Sequence, residues 1–410
     1  MAGRNDVDRG RVIIAGGSIA GLFAGALLLR EGFAVDVFER SGEALASRGA
    51  GIASHPELFE VLEQIGATPA ESLGDESLGV EIVGRIVLDR DGTAIGEHPL
   101  PQIMLSWDRL YRVLRAVFPD HHYHAGRAIE SFEQDDDGVT VHLADGGRER
   151  AEWLIGADGI RSAVRRQLLP DLEPAYAGYV AWRGLIEESA MSAEARAVLS
   201  EHLMFCLPPG EQMLGYPVPG ADEAIQPGRR RYNMVWYRPA DEATALTGRD
   251  GRRYELSIPP GQVAEGAVAT LNADADALLA PCCAEVVHLS RPPFIQAIYD
   301  LESPQLVFDR AILIGDAAFV TRPHTGMGVT KAALDALTLA QALAEPARAA
   351  ALAAWQSRRL HYGRAVVERA RRLAAYLGDP AGSREETPAM FRERAASLMA
   401  ETAISGWLRA

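Results

Sequence analysis

The chemistry-bearing residues of this 410-residue chain gather in three short stretches. The first is GGSIAG, in which Gly16, Ser18 and Gly21 occupy the positions of a G-x-G-x-x-G phosphate cradle, with Gly17 beside them. The first glycine permits a tight turn, a small middle residue lets backbone approach a pyrophosphate, and the last glycine lets helix and strand pack closely. Serine at the middle position keeps the approach open and adds a hydroxyl that can donate to a phosphate oxygen. Glu39 closes the next apolar run, where a carboxylate accepts from adenosine ribose hydroxyls and repels a 2′-phosphate, so FAD or NAD is expected rather than NADP.

The second stretch is GADGIRSAVRR and the third IGDAAFVTRPHTGMG. Asp158 and Gly159 alone read as a turn, with Arg161, Arg165 and Arg166 on a solvated helix face. Gly315 and Asp316 place a carboxylate at a strand end, suited to a polyol chain. The glycine-rich helix start near Gly328 offers free N–H groups and the positive end of a helix dipole to an electron-rich ring. Both suit a flavin. No second glycine cradle follows a strand downstream, so any second nucleotide binds without a fold of its own. If Asp316 takes no part, an NAD-dependent dehydrogenase is the alternative.

The elements that must hold these residues are legible. Arg11–Ala15 reads as a buried strand, 19–30 as a helix ending at Gly32, and 33–40 as a second strand. The uncharged run from Val12 to Leu29 approaches the length of a membrane span, but its glycines and the preceding Asp6 and Asp8 favour the cradle. Between 171 and 290, alternating apolar and polar runs bounded by Gly and Pro predict antiparallel strands. A net charge of −15 and a pI near 5.2 disfavour nucleic acid and anionic membrane as partners. Cys206, Cys282 and Cys283 suggest neither a disulfide framework nor a zinc site, which fits a reducing cytoplasm. No metal is expected, and the histidines of DHHYHAG (120–126) read as a solvated connection.

Taken in order, GGSIAG…FER, GADGIRSAVR and IGDAA…RPHTGMG…DA resemble the single-component FAD-dependent aromatic hydroxylases, over about residues 10 to 345. The resemblance implies an α/β fold: a Rossmann-type FAD-binding domain of the GR2-like flavoprotein kind, an inserted antiparallel-sheet substrate domain, and C-terminal helices. Segments 10–75, 105–170 and 286–345 would form the discontinuous FAD domain, 76–104 and 171–285 the substrate domain, and 346–410 the helical end. Gly16, Gly17, Ser18, Gly21, Glu39 and Arg40 would hold the ADP half, with Asp158 shared between flavin and pyridine nucleotide. Gly315 and Asp316 would hold the ribityl arm, and Pro323, Gly326, Met327 and Gly328 would line the ring. Gly51 and Ile52 would pass under it, and Arg112 would reach the phosphates. The chain departs from the family pattern at Trp107, where Arg is usual, and at Thr330, where Asn is usual.

By the same resemblance, FAD is tightly bound, while NADH or NADPH visits transiently and delivers hydride. O2 then yields a flavin C4a-hydroperoxide that hydroxylates an electron-rich ring, a hydroxypyridine or phenol. The ring reacts best as its anion, so a base or proton relay is expected against it. His324, which titrates near neutrality when unperturbed, is the first candidate, followed by Tyr216; Arg183 would stabilise a substrate oxyanion. Tyr232 and Trp236 are candidate substrate contacts, with sheet core as their plainer reading. An epoxidase or decarboxylating hydroxylase on the same frame, or a non-catalytic flavoprotein that sequesters an aromatic ligand, are the alternatives. Pairing into a homodimer is left open.

Overall fold

The computed structural model describes residues 9–43, 45, 51–67, 77–378 and 386–406. In chain order its strands are β1 (Arg11–Ala15), β2 (Ala34–Glu39), β3 (Gly51–Ala53), β4 (Val80–Leu88), β5 (Ala94–Ser106), β6 (Tyr123–Ala125), β7 (Ile129–Asp135), β8 (Gly138–Leu143), β9 (Arg148–Ala151), β10 (Trp153–Gly156), β11 (Ala175–Glu187), β12 (His202–Cys206), β13 (Gln212–Val218), β14 (Arg231–Pro239), β15 (Ser257–Ile258), β16 (Phe294–Glu302), β17 (Val307–Phe308), β18 (Ala311–Leu313) and β19 (Phe319–Val320). The helices that matter below are α1 (Ile19–Arg30), α2 (Pro56–Ile65), α3 (Trp107–Val117), α4 (Ala163–Leu168), α5 (Ala193–Leu199), α6 (Glu265–Leu278), α7 (Pro281–Leu289), α8 (Gly328–Ala344), α9 (Arg348–Leu373) and α10 (Pro388–Glu401).

A six-stranded sheet runs β17-β18-β10-β1-β2-β6, parallel except for the β17–β18 pair. Parallel strands are covered on both faces, and the sequence shows it: Val12, Ile13 and Ile14 of β1 are consecutive and all buried. Helix α1 is apolar almost all round, with Gly21 through Leu28 buried, because it is wedged between this sheet and α8. Burial inside the protein therefore explains the uncharged run. Among the described residues no helix is long and apolar enough to cross a membrane.

The second sheet runs β15-β16-β11-β14-β13-β12-β4-β5-β3. Its central strands alternate faces, as a period of two requires. Trp182, Met234 and Trp236 point back onto α5, α6 and α7, while Tyr179, Ala181, Tyr216, Val235 and Tyr237 point forward, sharing a core with Leu398 and Met399 of α10. A small sheet β7-β8-β9 fills the connection before β10.

Two expected boundaries shift. β16 was expected within the FAD segment beginning at 286, yet it pairs antiparallel with β11 inside the large sheet. β3 was likewise expected in the first FAD segment and instead pairs with the end of β5. β3 has only three residues and β16 is a nine-residue strand of mixed polarity, and each has its partner strand remote in sequence, so local pattern cannot say which sheet they join.

Candidate active site

The three motifs meet because their strands are neighbours. β18, β10 and β1 lie side by side in parallel, with Ala15 level with Gly156 and Gly156 level with Leu313. Each motif begins where its strand ends, so all three emerge at one edge, the carboxyl side where open α/β sheets bind ligands. There a cavity of about 830 Å³ opens, walled by Ser18, Glu39, Arg40, Asp158, Asp316 and Gly328 among others.

The glycine cradle has the required geometry. Gly16 turns with φ +100°, and a Cβ on it would lie 2.5 Å from the Ala157 carbonyl oxygen. A Cβ on Gly21 would run into the Gly16 carbonyl, so any side chain there forces α1 off the strand. Ser18 caps α1 in extended conformation without spending its hydroxyl on the helix. Glu39 accepts from Gly17 N–H and Ser41 N–H, each at 2.8 Å, which fixes both carboxylate oxygens while leaving each a second lone pair for a ribose hydroxyl.

Tyr123 completes the cradle, although its stretch read as a solvated connection. Its hydroxyl donates to Gly17 O at 3.0 Å from β6, the strand that pairs beside β2. His124 hydrogen-bonds Asp36 at 2.8 Å and His122 approaches it at 3.6 Å, a packing role at the sheet edge.

Asp158 is more than a turn former. One of its oxygens accepts from Ala163 N–H at 2.7 Å, at the start of α4, while Oδ1 is buried and unpartnered beside the cavity. Burial pushes its carboxyl upward. Arg165, which reads as a solvated face only when its motif is taken alone, is 1% exposed and donates to Ala317 O at 3.2 Å, tying the second motif to the third. The third motif is gripped from beneath as well. Lys331 donates to Gly315 O at 2.7 Å, and Asp335 accepts from Gly315 N–H at 3.0 Å and from Arg359 Nε at 2.7 Å. Sequence reading missed this clamp; its only signal was a lysine inside the otherwise apolar start of α8.

Gly51, Ile52, Pro323, Gly326 and Met327 are not in that cavity wall. They lie where the front of the large sheet meets the segment leading into α8. Gly51 N–H donates to Asn233 Oδ1 at 3.0 Å, and Tyr216 covers Gly51, whose notional Cβ would be 2.5 Å from the ring. Gly326 packs on Ala403, just past α10. Thr330 is fully buried, its hydroxyl 2.8 Å from His55 Nδ1, and Trp107 lines the cavity.

Four expectations need correction. Arg112 pairs with Glu223 at 2.7 Å and is not in the cavity wall. It follows Trp107 by five positions, which at 3.6 residues per turn carries it about 140° round α3. Tyr232 and Trp236 share the parity of Met234, so they face α6 and α7 at the back of the sheet. His324 does not titrate near neutrality. Burial, with the Arg322 charge adding, holds it down to about 3, so it is a neutral imidazole. Its Nε2 lies 2.8 Å from the Tyr179 hydroxyl and its Nδ1 is unpartnered.

Around His324 the front face carries Tyr237, its ring centroid 4.5 Å away, then Tyr216 and Arg183. Burial pushes the Tyr237 phenol up to about 12 and the Tyr216 phenol higher, both opposed by the Arg183 charge. Arg183 has no ion-pair partner among the described residues, and its Nε is buried without an acceptor.

A glycine cradle, an acidic strand end at each side of one cavity and a large antiparallel sheet beside it define a flavin-binding oxidoreductase frame. Comparison with known proteins agrees. A family model described as "FAD binding domain-like" matches residues 176–300, and one described as "FAD binding domain" matches 303–370. The chain is 32% identical to 2,6-dihydroxypyridine 3-monooxygenase of Paenarthrobacter nicotinovorans, over 90% of this chain and 91% of that one. It is 30% identical to 3-amino-4-hydroxybenzoate 2-monooxygenase of Streptomyces cremeus, over 92% and 90% of the two chains. The solved structure of 2,6-dihydroxypyridine-3-hydroxylase from Arthrobacter nicotinovorans superposes with a TM-score of 0.84 at 30% identity, covering 90% of this chain and 93% of that one. The chain belongs to the FAD-dependent aromatic-ring monooxygenases.

The cavity fits the group this family carries. The cradle admits no Cβ at Gly16 or Gly21, the Ser18 hydroxyl is free, the buried Asp158 oxygen lacks a donor, and Asp316 opens into the far end. Bound there, FAD supplies the oxidising power when NAD(P)H and O2 are provided.

Proposed function

We propose that this monooxygenase hydroxylates a hydroxypyridine or phenol bound as its anion, with the negative oxygen at Arg183. The observation that carries the reading is the Arg183 guanidinium, without an ion-pair partner among the described residues, on a sheet face that also carries the neutral phenols Tyr216 and Tyr237 and faces the neutral His324. No side chain of that group is an ionised base at neutral pH. Ionisation of the substrate is therefore favoured by the field of Arg183, and the proton is lost to solvent as the anion binds. His324 Nε2 lies 2.8 Å from the Tyr179 hydroxyl, so these two neutral groups are held as one hydrogen-bonded pair beside Tyr237. Tyr179 lies under Arg322, whose Nε and Nη2 both donate to Asp300 Oδ2, at 3.0 and 2.8 Å, which fixes the guanidinium over the ring.

Gly16, Gly17, Ser18, Gly21, Glu39 and Arg40 hold the ADP half of FAD. Asp158, Gly315 and Asp316 hold its middle, and Gly328 presents the N-terminus of α8 to the ring. Gly51, Ile52, Pro323, Gly326 and Met327 frame the ring's edge, closed from above by the front of the large sheet so that water is excluded. The names of the two relatives, one a dihydroxypyridine and the other an aminohydroxybenzoate monooxygenase, support a hydroxylated ring of this kind. A cytoplasmic enzyme using NADH or NADPH is the setting we propose.

The test is a panel of hydroxypyridines and phenols assayed for stimulated NAD(P)H oxidation and oxygen uptake. A product one oxygen atom heavier than the substrate supports the reading. Cofactor oxidation that no anionic ring accelerates refutes it.

A further inference from the structure

We propose that Lys331 is a positioning residue for the cofactor: it pins the Gly315–Asp316 turn from beneath and supplies a fixed buried positive charge that favours the reduced flavin. The proposal rests on the reading that the Asp316 end of the cavity receives the ribityl arm.

Lys331 is 1% exposed, a burial that lysine adopts only when its charge is used. It also lies in the first turn of α8, where the helix dipole disfavours a cation. Two independent costs fall on one residue, and an apolar side chain would fill the space without either. What the ammonium makes instead is specific: a 2.7 Å bond to Gly315 O and a 3.6 Å approach to Asp335. Asp335 is not its private counter-ion. It also binds Arg359 at 2.7 Å through Nε and accepts from Gly315 N–H, so both polar atoms of the Gly315 backbone are held by this cluster.

Lys331, Arg359 and Asp335 together carry one positive charge in excess. The next carboxylate is Asp316, which opens to the cavity and feels the Lys331 charge. With Asp316 counted the two cations and two carboxylates balance, so what reaches the bound cofactor is the placement of the charge: the Lys331 ammonium is held against the Gly315 carbonyl while Asp335 is shared with Arg359, and a positive charge on that side stabilises the electron-rich reduced ring more than the oxidised one.

The experiment compares the FAD-loaded wild type with K331M and K331R. It measures the FAD dissociation constant, the midpoint potential of the bound flavin by dye equilibration, and affinity for sulfite. K331M is expected to bind FAD about tenfold more weakly, the effect of losing one charged hydrogen bond. Its potential should move negative and its sulfite affinity should fall, while K331R keeps the wild-type potential. A merely structural lysine would lower thermal stability but leave the potential of the loaded protein unmoved, and that result overturns the proposal. Should K331M fail to fold, a K331R protein whose potential falls well below wild type overturns it equally, and one that keeps it is the expected result. D316N separates the two readings: unchanged FAD affinity in D316N removes the ribityl assignment, whereas unchanged potential in K331M removes the role of the charge.

Discussion

Replacing Arg183 with methionine tests the substrate reading most directly. The guanidinium is half-buried on the front of the large sheet, close enough to Tyr216 and Tyr237 for its charge to oppose the rise that burial imposes on both phenols, and among the described residues it has no carboxylate to neutralise it. A substrate oxyanion about 4 Å away gains ~4 kcal/mol at an effective dielectric constant of about 20. Removing solvent from a half-exposed guanidinium offsets about half of that, leaving ~2 kcal/mol. The expected result is a ~30-fold weaker dissociation constant for an anionic hydroxypyridine, and a bound-substrate pKa raised by about 1.5 units. A neutral isostere should lose much less. R183K should recover part of the loss, because it restores charge but not the planar fork. The assay is an absorbance titration of the flavin with each ligand across pH. If R183M binds anion and neutral isostere with equal losses, Arg183 is packing rather than an anion site and the reasoning fails.

Further outcomes follow from the same geometry. His55 and His324 are held neutral by burial, down to about 4 and about 3 against an ordinary 6.5. The unfolded chain takes up protons below pH 6.5 that the folded chain refuses, so stability is flat above that value and falls as the pH drops towards 4. The slope is up to ~1.4 kcal/mol per pH unit for each histidine. Urea midpoints at about pH 7.5 and about pH 5 check this, and the double variant H55N/H324Q should flatten the profile. Gly21→Val should yield protein without flavin absorbance, because even a Cβ collides with the Gly16 carbonyl. Tyr123→Phe removes the hydrogen bonds of its hydroxyl to Gly17 O and to the Tyr111 hydroxyl; loss of the first, at ~1 kcal/mol, should raise the FAD dissociation constant about fivefold, read by fluorescence recovery. Tyr232→Phe should leave KM within about twofold and leave stability unchanged or ~1 kcal/mol higher, since its buried hydroxyl has no partner to lose. A large KM effect would place Tyr232 at the substrate after all.

Much of the cofactor site was written locally. The strand 11–15, the helix 19–30 and the left-handed Gly32 after it depend on neighbours within a few residues, as do the Gly16 turn and the carboxylate at Glu39. The three motifs were readable for the same reason: each is a strand end, a turn and a helix start, a unit whose geometry short-range sterics and free N–H groups prescribe. What local pattern does not carry is which strands lie side by side and which way each face looks. Register alone turned Tyr232 and Trp236 to the back and Tyr179 and Tyr237 to the front, and a shift of one residue would have exchanged them. Burial depth, which drives His324 far below neutrality and makes Lys331 expensive, is a sum over segments hundreds of positions apart. The Lys331–Asp335–Arg359 clamp and the Tyr123–Gly17 bond likewise exist only after the chain has folded back on itself. The types and spacing of the chemistry-bearing residues were thus local properties, whereas their protonation, facing and partners belong to the packed whole.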